Sequence, residues 1–193
     1  MKKLLILLFC CLAITANAYT VLDAATGTIQ ETNTLPTVTR TVEKLSNGTK
    51  VTYEFSGVLL MADPLKSETY YPLIEGFGQT ATEKEAWLPV RNARFMLTDS
   101  TGCNVSILSD ETVTVRILMS PARADHAETE DFEYTSSNLP IITSRPKFLP
   151  EQIASDQGCE IYRGYFIKSV QIHPIQYNSI TRRARFHKKF SYA

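Results

Sequence analysis

The chain has 193 residues, 20 of them basic and 20 acidic, and therefore no formal net charge. That balance gives no reason to expect a nucleic-acid partner, which rewards a strongly basic face. Hydrophobic residues at 44% and charged residues at 21% are the proportions of a chain that folds around a core rather than staying disordered.

The N-terminus reads as an export signal over residues 1–18. Met1-Lys2-Lys3 is a short positive start, Leu4 to Ile14 is an uncharged apolar run, and Ala16-Asn17-Ala18 has the small-x-small form that signal peptidase cuts after. The run is too short for a permanent membrane helix, which needs about 20 residues, and no later run reaches that length. Phe9 is bulky where a small residue would precede a lipid-attached Cys10, so a soluble product released to the periplasm, cell surface or medium is expected. Losing Lys2 and Lys3 leaves the remainder slightly acidic. Residues 19–193 suit a single domain large enough to bury a core. Cys10 and Cys11 leave with the signal. Cys103 and Cys159 remain, and in an oxidising compartment they could form one disulfide or stay as two thiols. Two cysteines do not make a structural zinc site.

The chain that follows reads as strands and turns. Thr37 to Leu45 and Lys50 to Leu60 flank Ser46-Asn47-Gly48-Thr49, and Asn-Gly between alternating runs is a strong hairpin signal. Val51, Tyr53 and Phe55 should share one face. Further strands are expected at Thr69 to Phe77, Arg94 to Thr98, Asn104 to Leu108 and Thr112 to Met119. Turns are expected at Asp99 to Gly102 and Ser109 to Glu111. Glu83 to Trp87 and Pro150 to Ala154 could each form a helical turn or two, the second with Pro150 at a first helical position. Glu160 to Ile172 reads as one long strand kinked at Gly164. No stretch carries a sustained 3.6-residue stripe. The expected fold is all-β, an antiparallel β-sandwich or open barrel with one or two short helical turns.

Ser120 to Pro150 differs from its surroundings. It opens with Ser-Pro-Ala-Arg123-Ala-Asp-His, passes through an acidic stretch, and closes around Leu139-Pro140 and Arg145-Pro146. A long loop in a compact domain is commonly functional or mobile, so a partner contact is sought here. The acidic group Asp125, Glu128, Glu130, Asp131 and Glu133 lacks the ordered alternation and central glycine of a calcium loop.

No catalytic constellation emerges. His126, His173 and His187 are the histidines, and neither Cys103 nor Cys159 sits where a thiol pKa would fall, such as a helix start. Gly57 and Gly76-Phe77-Gly78 lack the spacing of a phosphate loop. No metal or cofactor is called for. Asn47-Gly-Thr and Asn104-Val-Ser fit the N-glycosylation pattern. Arg182, Arg183, Arg185, Lys188 and Lys189 make the last strand basic, which suits an anionic partner or an edge strand protected by charge.

That last stretch, Val170 to Phe190, places alternating runs around a polar turn at Asn178 to Thr181, the form of a β-hairpin. Pro174, Gln176, Tyr177, Asn178, Thr181 and Arg185-Phe186 resemble the closing hairpin of the propeptide that precedes the catalytic domain in gingipain-type cysteine proteases. There a Pro-x-Gln-Tyr-Asn-Pro-like turn leads into a basic, aromatic final strand; Ser179 departs from the usual proline. The resemblance implies a β-rich propeptide lying against a protease catalytic domain, in cis or in trans, with no catalysis of its own. It implies latency and folding assistance, with a basic side chain entering the specificity pocket of an arginine-preferring enzyme. The resemblance leaves open whether the chain is the severed front of a longer precursor or a separate partner.

Arg123, flanked by small residues, is the favoured pocket candidate. Arg145 is the second, because a bond before proline resists cleavage, and Lys147 stays open. The alternative is a surface β-sandwich binding a glycan or adhesion partner through Tyr70, Tyr71, Phe77 and Trp87.

Overall fold

The computed structural model describes residues 18–80, 85–97, 104–123, 135, 141–144 and 146–193. In chain order the strands are β1 Tyr19–Asp23, β2 Ile29–Thr32, β3 Val38–Leu45, β4 Gly48–Phe55, β5 Gly57–Asp63, β6 Lys66–Leu73 and β7 Gly78–Gln79. They continue with β8 Pro89–Leu97, β9 Ile107–Arg116, β10 Ala154–Tyr162, β11 Tyr165–Ile172, β12 Ile175–Asn178 and β13 Arg183–Tyr192. Three sheets run β2-β1-β5-β6, β10-β11-β8-β7 and β12-β13-β4-β3, with β9 along the other side of β13. Neighbouring strands in these sheets are antiparallel, and they close no barrel. The all-β expectation holds. Among the described residues no helix occurs, and none is long and apolar enough to cross a membrane.

The core follows from period-2 alternation. Val51, Tyr53 and Phe55 point inward together, at 0%, 0% and 3% exposure, and β13 contributes Phe186 and Phe190 from the adjoining strand. Tyr53 and Phe190 stack at 5.5 Å between ring centroids, and Phe55 meets Phe186 edge-on at 5.6 Å. Phe77 completes the cluster, 6.0 Å from Tyr53 and 5.9 Å from Phe55. Each such ring removed from water contributes about 1.5–3 kcal/mol.

Several elements differ from their sequence reading. Lys50 to Leu60 does not run as one strand, because Ser56-Gly57 carries the chain from the third sheet to the first. Ser56 N–H donates to Thr37 O, while Ser56 O accepts from Ala24 N–H. A Cβ at Gly57 would lie 2.7 Å from Leu22 O, so only glycine permits the crossing. The β3–β4 turn is Ser46-Asn47, and Gly48 already pairs with Leu45.

Asn104 to Leu108 and Thr112 to Met119 are not separate strands. Ser109 to Glu111 lies inside β9, because β13 offers partners along that whole stretch: Glu111 stands opposite Lys189 and Asp110 opposite Phe190. Glu160 to Ile172 is the end of β10 and all of β11, closed by Arg163-Gly164. Both residues have positive φ, 50° and 83°, the geometry of a two-residue type I′ turn.

Pro150 to Ala154 forms bends entering β10 rather than a helical turn. The carbonyls of Pro150 and Glu151, which would serve a first helical turn, accept instead from Gln176 Nε2 at 2.6 and 3.1 Å. Of Glu83 to Trp87, the first two residues lie outside the described residues and the rest are irregular. The signal segment up to residue 17 and the turn at residues 99–102 also lie outside them.

Candidate functional site

The terminal hairpin forms as read, with Asn178 paired to Arg183 and residues 179–182 as the turn. Asn178 Oδ1 accepts from Thr181 N–H at 2.9 Å, a local Asx bond that substitutes for the rigidity of a proline at position 179. The motif residues Pro174, Gln176, Tyr177 and Asn178 are all buried, and their side chains and backbone hold down the end of the long loop. Tyr177 and Leu149 exchange backbone hydrogen bonds at 2.8 and 3.0 Å. Asn178 Nδ2 donates to Pro146 O at 3.3 Å and Ser179 Oγ to Thr143 O at 3.1 Å.

Gln176 is the hub. Its Nε2 serves the Pro150 and Glu151 carbonyls, and its Oε1 lies 3.0 Å from His187 Nε2 and 3.4 Å from Arg185 Nη1. The other ring nitrogen of His187 lies 2.8 Å from Asp110 Oδ1. Burial nevertheless pushes the His187 pKa down, against the opposing pull of Asp110. His173 Nε2 meets Gln171 Oε1 at 3.1 Å, and burial lowers its pKa to about 4. The two imidazoles thus have separate partners. Cys159 is an exposed free thiol on β10; Cys103 lies outside the described residues.

The start of the loop is fastened by different elements. Tyr70 N–H donates to Leu118 O at 2.9 Å, and Ser120 N–H to Tyr70 O at 2.8 Å. These bonds lay Met119 parallel to β6. On the other side Trp87 N–H donates to Ser120 O and Ala122 N–H to Glu85 O, at 2.9 and 2.7 Å. Ser120 and Ala122 are fully buried, and the Ser120 hydroxyl donates to Thr69 Oγ1 at 3.0 Å. At the end of this strap Arg123 Nη2 lies 2.5 Å from Asp63 Oδ1. Burial opposes ionisation of Asp63, but the Leu65 amide and the Arg123 guanidinium hold its pKa below the usual carboxylate value.

The two fastened ends are neighbours. Glu85 and Ala86, beside the strap, share a small cleft with Ile142, Thr143, Leu149 and Pro150 from the loop's tail. The described residues at the two ends of the 120–150 stretch are therefore fastened close to one another. Arg145, His126 and the acidic cluster from Asp125 to Glu133 lie outside the described residues. Lys147, the open alternative, pairs with Glu151 on the surface.

The basic last strand is not an edge. β13 lies between β9 and the β12 and β4 strands, so its charges serve cross-strand contacts rather than protection. Lys188 faces Glu111 at 3.6 Å, Lys189 faces Glu54 at 3.1 Å, and the Arg185 guanidinium sits 4.1 Å over the Phe148 ring. The aromatics of the adhesion alternative are dispersed. Phe77 is packed in the core cluster, Tyr70 rests against the core, and only Tyr71 and Trp87 touch, at 5.3 Å. No group of three metal-ligating side chains occurs among the described residues.

Asp63 had no sequence signal as a site residue. Asp63-Pro64 at the end of an apolar strand reads only as a turn, and its partner is 60 residues away.

Comparison with known proteins accords with this geometry. The family model Propeptide_C25 matches residues 69–193. No curated protein matches the chain. Among solved structures, the complex of Porphyromonas gingivalis RgpB pro- and mature domains is similar, with a TM-score of 0.65 and 16% identity over 79% of this chain and 81% of that one. A structure describing zymogenic latency of gingipain K from the same organism has a TM-score of 0.65 and 14% identity, over 92% of this chain and 98% of that one. Likeness at such identity establishes the shared fold, while the family match runs from β6 to the last residue. The chain belongs to the gingipain propeptide family, and its role is that of a non-catalytic propeptide.

Proposed function

We propose that this chain is exported by its N-terminal signal and acts as the latency propeptide and folding aid of a gingipain-type cysteine protease. It offers a basic side chain from the long loop to an acidic specificity pocket. The observation that carries this reading is the strap from Met119 to Arg123. In it an arginine preceded by Ser120, Pro121 and Ala122 directly follows backbone hydrogen bonds at Ser120 and Ala122. A segment held in this way loses little conformational freedom on binding, so substrate-like contacts translate into affinity. A guanidinium entering a water-excluded acidic pocket forms a charge-assisted pair.

Arg123 is the favoured residue and Arg145, before Pro146, the second. The protease acts in cis or in trans. The printed descriptions of the two similar structures, a pro- and mature-domain complex and a latent zymogen, support the choice of partner.

The test mixes the chain from Tyr19 onward, which contains every described strand, with a purified arginine-preferring protease of this type. Hydrolysis of an arginine substrate is then followed. Inhibition at micromolar or lower concentration, lost in Arg123→Ala or in Arg145→Ala, is the expected result. Absence of both inhibition and folding assistance at that concentration overturns the reading.

A further inference from the structure

The pairing of Arg123 has an asymmetry. The Asp63 side chain is fully buried, whereas that of Arg123 keeps 21% of its surface. Contact runs from Nη2 to Oδ1, and the second carboxylate oxygen, Oδ2, is buried without accepting a hydrogen bond. Guanidinium and carboxylate pair most strongly through two parallel bonds, and Asp63 does not receive that fork.

Asp63 also has other support. Leu65 N–H donates to Oδ1 at 2.9 Å. That amide belongs to the turn after β5 and does not depend on the guanidinium. The strap itself is fixed by backbone bonds at Ser120 and Ala122 that do not involve the Arg123 side chain.

We infer that Asp63 sets the affinity of the Arg123 site by holding the guanidinium in the free domain and surrendering it to the carboxylate of an acidic protease pocket on docking. This rests on the latency reading above, with Arg123 as the inserted residue. The internal carboxylate and the pocket compete for one cation, and a ligand shifts such an equilibrium only by its differential affinity for the two states. Whatever Asp63 contributes to holding Arg123 is subtracted from binding. Neutralising Asp63 should therefore tighten the complex, which is the opposite of what loss of a purely structural residue would do.

The experiment measures the dissociation constants of wild type, Asp63→Asn and Arg123→Ala against a catalytically inactivated, arginine-preferring gingipain-type protease. The expected order is Asp63→Asn tighter than wild type by about tenfold, one decade of affinity, with Arg123→Ala weaker by about a hundredfold or more. Asp63→Asn folding normally and binding no tighter than wild type overturns the exchange. If that variant does not fold, the crystal structure of the wild-type complex decides. Arg123 on a protease carboxylate supports the exchange, and Arg123 still on Asp63 overturns it. Equal binding by wild type and Arg123→Ala overturns the exchange but leaves the latency reading standing. A wild-type chain that does not bind the protease overturns the latency reading itself.

Discussion

The head of the long loop, Met119 to Arg123, and its tail, Thr143 to Glu151, are fastened to the same scaffold by different chemistry. The head is held by backbone bridges to β6 and to Glu85–Trp87, and Arg123 at its tip pairs with Asp63. The tail is held by neutral side chains of the terminal hairpin, chiefly Gln176, Asn178 and Ser179, and by one backbone bridge at Tyr177. Buried neutral hydrogen bonds are individually modest but leave unsatisfied groups behind when a hub is removed. A partly exposed ion pair can be exchanged for another. The tail is thus held by bonds that are costly to break, and the tip of the head by a contact that another carboxylate can replace.

The largest loss comes from the tail's hub. Gln176→Ala removes the partner of two loop carbonyls and of His187 Nε2, and it should destabilise the domain by about 2–4 kcal/mol. Denaturant unfolding measures this. A loss under about 1 kcal/mol would mean that water replaces Gln176 freely and that the tail is not locked by it.

Acidification tests the same region next. His173 and His187 have pKa values lowered by burial, His173 to about 4. The unfolded chain therefore binds protons below about pH 6.5 that the folded chain refuses. Stability from these groups is complete above that pH and falls as pH drops toward 4. His173 alone should lose about 2 kcal/mol between pH 7 and pH 5. His173→Asn should flatten that part of the stability profile. An unchanged slope would show that His173 is not the group responsible.

At the head, Arg123→Ala should cost about 1–2 kcal/mol. That is below the usual penalty for breaking a buried pair, because Asp63 keeps its Leu65 amide and the arginine is partly solvated. A loss as large as that of Gln176→Ala would erase the distinction between the two ends and make Arg123 a fixed anchor.

Much of this scaffold was legible in the chain. Tyr53 and Phe55 announced a buried face by alternation, and Gln176-Tyr177-Asn178 announced a hairpin by its turn chemistry. The misreadings share a cause, since long-range partners overrode local preference. Ser109 to Glu111 looks like a turn until β13 supplies partners for it, and Pro150 starts no helix because Gln176, 26 residues on, takes its carbonyl. Gly57 looked like a lone glycine, and its need appears only when Leu22 O stands beside it. Asp63 was invisible for the same reason. Its pairing with Arg123 spans 60 residues, and no local pattern encodes such a contact.

The smallest expected effect separates the two jobs of the motif itself. Asn178 closes its own turn through Thr181 N–H and reaches the loop through Pro146 O. Asn178→Ser keeps a hydroxyl acceptor for the turn and loses the amide donor for the loop. It should therefore cost no more than about 1 kcal/mol overall, yet raise hydrogen exchange at amides of the loop's tail while leaving Thr181 protected. Greater exchange at Thr181 with no change in the tail would reverse the assignment. Asn178 would then be a turn residue only, and the tail's attachment would rest on Gln176 and the Tyr177–Leu149 bridge.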